Sequence, residues 1–77
     1  MDFLEVTKAQ YVGGHKIHLW FNNEVDKVVD FSDKLKGSAF EPLRDEEYFK
    51  RFRIAYNTIE WENGADFAPE YLYEIGN

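Results

Sequence analysis

The sequence contains no cysteine, no long apolar run and, after Arg53, no basic residue. The absence of cysteine excludes both a disulfide framework and a thiolate metal site. No apolar stretch approaches the roughly 20 residues of a membrane-spanning helix, and the N-terminus lacks the charged-then-apolar pattern of a signal peptide. We therefore expect a cytoplasmic protein with no membrane association.

The charge of the chain is acidic and unevenly distributed. The formal net charge is -6, and five acidic residues follow the last arginine: Glu60, Glu62, Asp66, Glu70 and Glu74. This acidic C-terminal third is typical of a solvated surface, and alternatively of a face that docks on a basic partner. Because an acidic protein repels a phosphate backbone at long range, nucleic-acid binding by this domain alone is disfavoured. The alternative nucleic-acid site is a basic cluster: Arg44, Lys50, Arg51 and Arg53.

The length predicts a single domain over residues 1–77, near the lower limit for a self-sufficient apolar core. Aromatic residues make up 18% of the chain, which supplies enough apolar area to fill such a core. The small margin of stability favours a protein partner or a homodimer that covers an exposed sheet edge or aromatic face.

The first half predicts three strands, over residues 3–12, 15–21 and 25–31, separated by the turns Gly13-Gly14 and Asn22-Asn23-Glu24. Such short loops imply antiparallel neighbours, so these strands form a meander.

Residues 15–21 alternate between apolar and polar positions. The alternation places Ile17, Leu19 and Phe21 on one face, and on the other face it places Lys16, His18 and Trp20. If the second face is open, Trp20 is an anchor for a protein interface; if another element covers it, Trp20 belongs to the core. Tyr71 and Tyr73, at a terminal turn, are further candidates for a contact surface.

The second half predicts short helices and two more strands. Ser32 is a candidate cap for a helical turn over residues 31–35, which Gly37-Ser38 ends. A short helix follows from Pro42, with Asp45 as its cap, and it presents Tyr48, Phe49 and Phe52 on one face.

The strands 53–56 and 58–61 meet at Asn57, and their predicted apolar positions are Ile54, Tyr56, Ile59 and Trp61. The chain closes with the turn Asn63-Gly64 and a helical turn over residues 69–73. The order β-β-β-α-β-β with a terminal helical turn is an α+β fold.

Three separated motifs resemble one bacterial family: VDFS at 29–32, FEPLRD at 40–45 followed by Tyr48-Phe49, and WENGAD at 61–66 continuing through PEYLY at 69–73. In their order and spacing they look like the family named domain of unknown function 2442. The resemblance implies a small α+β domain, of a kind first seen in front of a helix-turn-helix region. It also implies gene neighbours arranged like toxin–antitoxin pairs. It carries over no catalytic residue.

The chain departs from the commoner pattern of that family at three points. Asn22-Asn23 stands where an Asp-Gly or Asn-Gly turn is frequent, and Glu62 stands where proline is frequent. The helix-turn-helix extension is absent, which removes the obvious element for reading DNA.

The chemical candidates favour structure over catalysis. His15 and His18 are an odd number of residues apart on a predicted strand, so they point to opposite faces and do not share a metal ion. Asp33 and Asp45 are explained as turn or cap residues, and Asp30 and Asp66 as acceptors of backbone amides. We assign structural roles to seven residues: Asp30, Asp45, Trp61, Asn63, Gly64, Asp66 and Pro69.

No nucleophile in the chain has a base within a recognisable motif, and no phosphate loop is present. We therefore expect no enzymatic activity and no cofactor. Two functions follow from the sequence: a protein-interaction or adaptor module resembling an antitoxin, or a nucleic-acid-linked regulator that acts through the basic cluster.

Overall fold

The computed structural model describes residues 3–77 as an α+β domain with five strands and three short helices. The elements are β1 Val6–Gly13, β2 Lys16–Phe21, β3 Asp26–Asp30, a 3₁₀ helix Ser38–Arg44, α1 Glu46–Phe49, β4 Arg53–Ala55, β5 Thr58–Glu60 and α2 Pro69–Ile75. The predicted fold class and element order are confirmed, and the 3₁₀ helix is an addition.

The three long strands form the predicted antiparallel meander, in the order β1-β2-β3, and β4 and β5 form a separate two-stranded sheet. In the meander, Leu19 at the centre of β2 pairs with Ala9 on β1 and with Lys27 on β3. The pairing of β1 with β2 is irregular near each end of β1, around Thr7 and around Val12. These irregularities explain why the sequence of β1 does not alternate cleanly.

Two hairpin turns use residues with positive φ, which shortens the strands from their predicted lengths. Gly14 and His15 (φ 59° each) form the turn before β2, so His15 lies outside the strand to which it was assigned. Tyr56 (φ 52°) and Asn57 (φ 71°) form the turn between β4 and β5. Adjacent residues with positive φ match the twist of a two-residue hairpin.

The core lies on the inner face of the meander. Ile17, Leu19 and Phe21 are buried as their alternation predicts, and Trp61 is fully buried among other aromatic rings. Its indole Nε1 donates a hydrogen bond to the Phe49 carbonyl oxygen at 2.6 Å, which satisfies the buried polar atom.

The prediction was wrong for two apolar positions of the second sheet. Ile54 is 44% exposed and Tyr56 is 84% exposed, whereas Ile59 and Trp61 are buried. Tyr56 lies in the hairpin turn, where its side chain is directed away from the core, and the short β4 contributes little apolar surface.

The middle of the chain also differs from the prediction. Helical structure begins at Ser38, where the sequence indicated a break, and the α-helix that Asp45 caps is a single turn that ends before Phe52. The Asp45 side chain accepts a hydrogen bond from the Glu47 amide at 3.2 Å. Residues 32–34 form a turn rather than a helix. The Ser32 amide donates a hydrogen bond to the Asp30 carboxylate, so Asp30 rather than Ser32 caps this turn.

The C-terminal segment closes the domain. Gly64 (φ 85°) donates its amide to the Trp61 carbonyl, and Asn63 Nδ2 donates to the Ala39 carbonyl at 2.8 Å. α2 begins at Pro69 as predicted and extends two residues beyond the predicted end. The backbone of Asn77 then exchanges two hydrogen bonds with that of Val28, which covers part of the outer edge of β3.

Candidate protein-interaction surface

The outer face of the meander is the side of the sheet opposite the core. Cross-strand pairing places six central side chains on it: Lys8, Gln10, His18, Trp20, Asp26 and Val28. Trp20 is the middle of one row, between Lys8 on β1 and Asp26 on β3. The next row has His18 between Gln10 and Val28, so the indole and the imidazole are neighbours.

Contacts within the outer face hold Trp20 in place. Its ring stacks on that of His18, with centroids 3.8 Å apart and planes inclined by 22°. The Lys8 ammonium lies 4.7 Å from the indole centroid, a cation–π contact, and His18 Nε2 lies 2.6 Å from Asp26 Oδ2. These contacts fix the orientation of the indole ring.

The outer face is open to solvent. Trp20 and His18 are half-buried, and the Lys8, Gln10 and Asp26 side chains around them are exposed. Of the two possibilities for Trp20, the structure therefore shows an accessible aromatic side chain rather than a core residue.

The other sequence candidates for this surface lie around or away from it. Lys16 is exposed at the end of the same face, where it pairs with Asp30. Tyr73 packs edge-on against Phe21, and Tyr71 stacks on Phe67. Because Phe21 belongs to the core and Phe67 packs against the core, neither tyrosine lies with Trp20 on the outer face.

Lys8 and Asp26 are the two members of the Trp20 row that the sequence candidates omitted. Both lie on predicted strands, but their alignment beside Trp20 depends on the pairing register. The irregular pairing near Thr7 shifts the alternation of β1 by one residue, so counting along the sequence does not reveal it.

Two of the four cations of the basic cluster pair with carboxylates. Lys50 Nζ lies 3.1 Å from a Glu47 carboxylate oxygen, and Arg53 donates to Glu60 through Nε and Nη2. The Glu60 carboxylate also raises the pKa of Arg53. Arg44 is exposed and its Nε donates to the Leu35 carbonyl at 3.0 Å, while Arg51 is exposed.

His15 lies near a shallow depression of about 160 Å³ that Ser32, Leu35 and Arg44 also line. Its ring packs on Phe49 with centroids 4.7 Å apart, and its Nε2 lies 3.1 Å from the Leu43 carbonyl oxygen. His15 therefore tethers the hairpin turn to the 3₁₀ helix.

Within residues 3–77, no group of three histidine, aspartate or glutamate side chains is arranged to hold a metal ion. The aspartates have local contacts instead. The backbone amide and then the hydroxyl of Ser32 lower the pKa of Asp30, with smaller contributions from Lys16 and Lys34. Asp66 is exposed and pairs with Glu60 in an isolated β-bridge.

One tyrosine has a perturbed hydroxyl group. Tyr11 donates a hydrogen bond to a Glu46 carboxylate oxygen at 2.5 Å, and this bond is the main reason that the pKa of Tyr11 is raised. The contact connects β1 with the start of α1, so its role is to join two elements.

Comparison with known proteins identifies the family and nothing more specific. No curated protein and no solved structure matches the chain. None of the helices in the described part of the chain is long and apolar enough to cross a bilayer. The family described as Protein of unknown function (DUF2442) matches residues 6–77, so the chain belongs to this family, as its three motifs predicted.

Proposed function

We propose that this protein is a non-catalytic, cytoplasmic interaction module that binds another small protein through its outer face, in the manner of an antitoxin. The observation that carries the proposal is Trp20, an accessible indole held between Lys8, His18 and Asp26 in the middle of an open sheet face. The antitoxin comparison rests on the gene arrangement that the family resemblance implies.

Tryptophan at the centre of a surface is suited to anchor an interface. It buries roughly 150–250 Å² on contact and has few rotatable bonds, so it loses little conformational entropy on binding. The stack on His18 and the cation above the ring lower that entropy loss further. The exposed polar side chains at either end of the row are suited to form the surrounding rim.

The charge of the chain supports a basic partner. Five acidic residues and no basic residue follow Arg53, and the net charge is -6. A negative field of this kind accelerates the encounter with a positively charged protein and contributes less to the lifetime of the complex. In this proposal Trp20 holds the complex together, whereas the negative charge accelerates its formation.

The nucleic-acid alternative has less support, because carboxylates pair with two of the four cations in its proposed site. The charges that would release counterions from a phosphate backbone are thereby partly neutralised. We therefore prefer a protein partner.

The test is affinity purification of tagged full-length protein from its native host, with the Trp20→Ala variant and a Tyr56→Ala control. Tyr56 is 84% exposed in the turn between β4 and β5, so its truncation removes an aromatic ring outside the outer face. We expect the wild type and the control to recover the same basic protein in a stoichiometric amount, and Trp20→Ala to lose it. Equal recovery with Trp20→Ala, or no partner in any preparation, would refute the proposal.

The purified partner then allows the role of charge to be measured. We expect the association rate constant to fall steeply as salt is raised from 50 to about 500 mM, and the dissociation rate constant to change little. An association rate that is independent of salt would contradict the role of the acidic C-terminal third.

A further inference from the structure

The strand β1 lies at one edge of the meander and has only β2 as a neighbour in that sheet. The backbone hydrogen bonds of β2 reveal which groups of β1 point outward. Phe21 donates its amide toward β3, to the Val25 carbonyl. Because successive residues of a strand bond to opposite sides, Trp20 and His18 bond toward β1. Their partners Lys8 and Gln10 therefore bond inward, and the backbone groups of Ala9 and Tyr11 point outward.

Two other points on the sheet perimeter have backbone partners from outside the sheet. The Val6 amide donates to the Asn57 carbonyl at 2.8 Å, at the start of β1. On the opposite edge, Val28 exchanges two hydrogen bonds with Asn77. Among residues 3–77, no backbone group pairs with the outward-pointing groups of Ala9 and Tyr11. This short segment is thus a template for one more strand.

We propose that β1 pairs with β1 of a second copy of this chain, antiparallel and with the two-fold axis at Gln10. In this register Ala9 of each copy lies opposite Tyr11 of the other. These are the residues whose groups point outward, so each such pair exchanges two hydrogen bonds, about four in total. The two meanders then form one six-stranded sheet.

The composition of β1 favours a second copy over a charged peptide. The chain has a net charge of -6, yet β1 contains no acidic residue and Lys8 is its one charged side chain. In the proposed register Gln10 faces its own copy, and no two like charges lie directly opposite each other. The exposed Val12 nearby supplies an apolar side chain that a second copy would cover.

The opposite edge explains why the assembly would stop at two copies. Asn77 pairs with Val28 in the middle of the β3 edge, so its backbone occupies the place where a strand of a third chain would pair. A two-fold interface that uses the same strand from both copies is closed. The proposal goes beyond the proposed function and does not depend on it, because Trp20 lies on the outer face and not at the β1 edge.

The test is sedimentation velocity over a concentration series. It compares the wild type with charged substitutions at Gln10, which lies opposite Gln10 of the second copy. The wild type is expected to shift from 9.2 kDa toward twice that mass as concentration rises. Gln10→Lys and Gln10→Glu, each alone, place like charges across the axis and should weaken the dimer by about fivefold. An equimolar mixture of the two variants should recover the wild-type dissociation constant as a heterodimer.

The control is Ser38→Lys, an exposed position at the start of the 3₁₀ helix. It changes the net charge by the same amount as Gln10→Lys, so it separates local repulsion at the axis from the repulsion between whole chains. We expect its dissociation constant to equal that of the wild type or to be lower.

Amide hydrogen exchange supplies a readout that requires no variant. Exchange at Ala9 and Tyr11 should slow as protein concentration rises, while exchange at Gln10, which bonds to β2, should change less. A monomer at all concentrations, oligomers larger than two, a mixture that fails to recover the dimer, or protection only after a different protein is added would each overturn the proposal.

Discussion

The two tryptophans of this chain occupy opposite environments. Trp61 is fully buried in the core, in contact with Phe31, Phe49 and other rings, and its indole N–H has a partner in the Phe49 carbonyl. Trp20 is half-buried on the outer face, where its neighbours are a histidine, a lysine and an aspartate.

The difference shows how a small domain divides its aromatic residues. Trp61 contributes the large apolar area that a core of this size needs, and the hydrogen bond prevents a penalty from its polar atom. Trp20 adds little to that core, yet its position is defined by contacts to charged and polar side chains. The proposed interface rests on these contacts.

The largest expected effect comes from truncating the buried tryptophan. We expect Trp61→Ala to lower the free energy of unfolding by about 3–5 kcal/mol, because it removes the ring and leaves a cavity. For a domain of this length such a loss leaves little folded protein at 25 °C. The circular dichroism of Trp61→Ala without urea reports its remaining folded fraction, and urea denaturation measures the loss for the smaller truncation Trp61→Phe. A loss below about 1 kcal/mol would contradict the central role of Trp61.

The turn that follows Trp61 provides a second test of how the segment around the buried tryptophan stabilises the fold. Gly64 has φ 85° and donates its amide to the Trp61 carbonyl, and an added Cβ would meet no atom within 4 Å. Gly64→Ala should therefore cost about 1–2 kcal/mol through backbone strain alone. Gly64→Asn should cost less, because asparagine tolerates positive φ. Equal losses for the two variants, measured by urea denaturation, would indicate that strain is not the cause.

Truncating the outer tryptophan should affect binding more than folding. We expect Trp20→Ala to change the free energy of unfolding by less than about 1 kcal/mol, since the side chain is half-buried outside the core. The same variant should lose the partner protein. Thermal melts and affinity purification on one preparation test both statements. A destabilisation similar to that of Trp61→Ala would place Trp20 among the structural residues.

The smallest expected effect is a pH dependence at the border of the outer face. The Ser32 amide and hydroxyl lower the pKa of Asp30 below its usual value, so the carboxylate stabilises the folded state above the pKa of an unfolded aspartate. This stabilisation is lost as the pH falls through the folded pKa. Asp30→Asn should therefore be slightly less stable than the wild type at pH 7, with the difference vanishing once the pH lies below the folded pKa of Asp30. A difference that stays constant in urea titrations across this range would argue against the carboxylate.

Much of the fold was predictable because its signals are local. The alternation in residues 15–21 identified the buried face of β2, and the turn formers at Asn63-Gly64 and Pro69 marked the closing segment. The hairpin joined at Asn57 was predicted, but the position of Tyr56 in its turn was missed, because a large aromatic residue with positive φ has no sequence signature. The 3₁₀ helix was missed because Gly37-Ser38 is a break signal for an α-helix and not for the tighter helix.

The candidate site was predictable only in part. Trp20, His18 and Lys16 were recognised as one face because side chains on a strand alternate. Lys8 and Asp26 were not, because a residue's neighbours across strands depend on register. The basic cluster looked continuous along the chain. The pairing of Lys50 with Glu47 is local to the predicted helix, whereas the pairing of Arg53 with Glu60 depends on the register of the β4–β5 hairpin.

The sequence by itself determined the family, the α+β element order and the division of β2 into an apolar and a polar face. These properties follow from motif spacing and from the two-residue period of a strand, both of which are local. Only the tertiary structure decided that Trp20 is accessible, that Tyr71 and Tyr73 lie away from it, and that the Ala9–Tyr11 edge lacks a partner within residues 3–77. Exposure and strand pairing depend on which distant elements come to lie beside a residue.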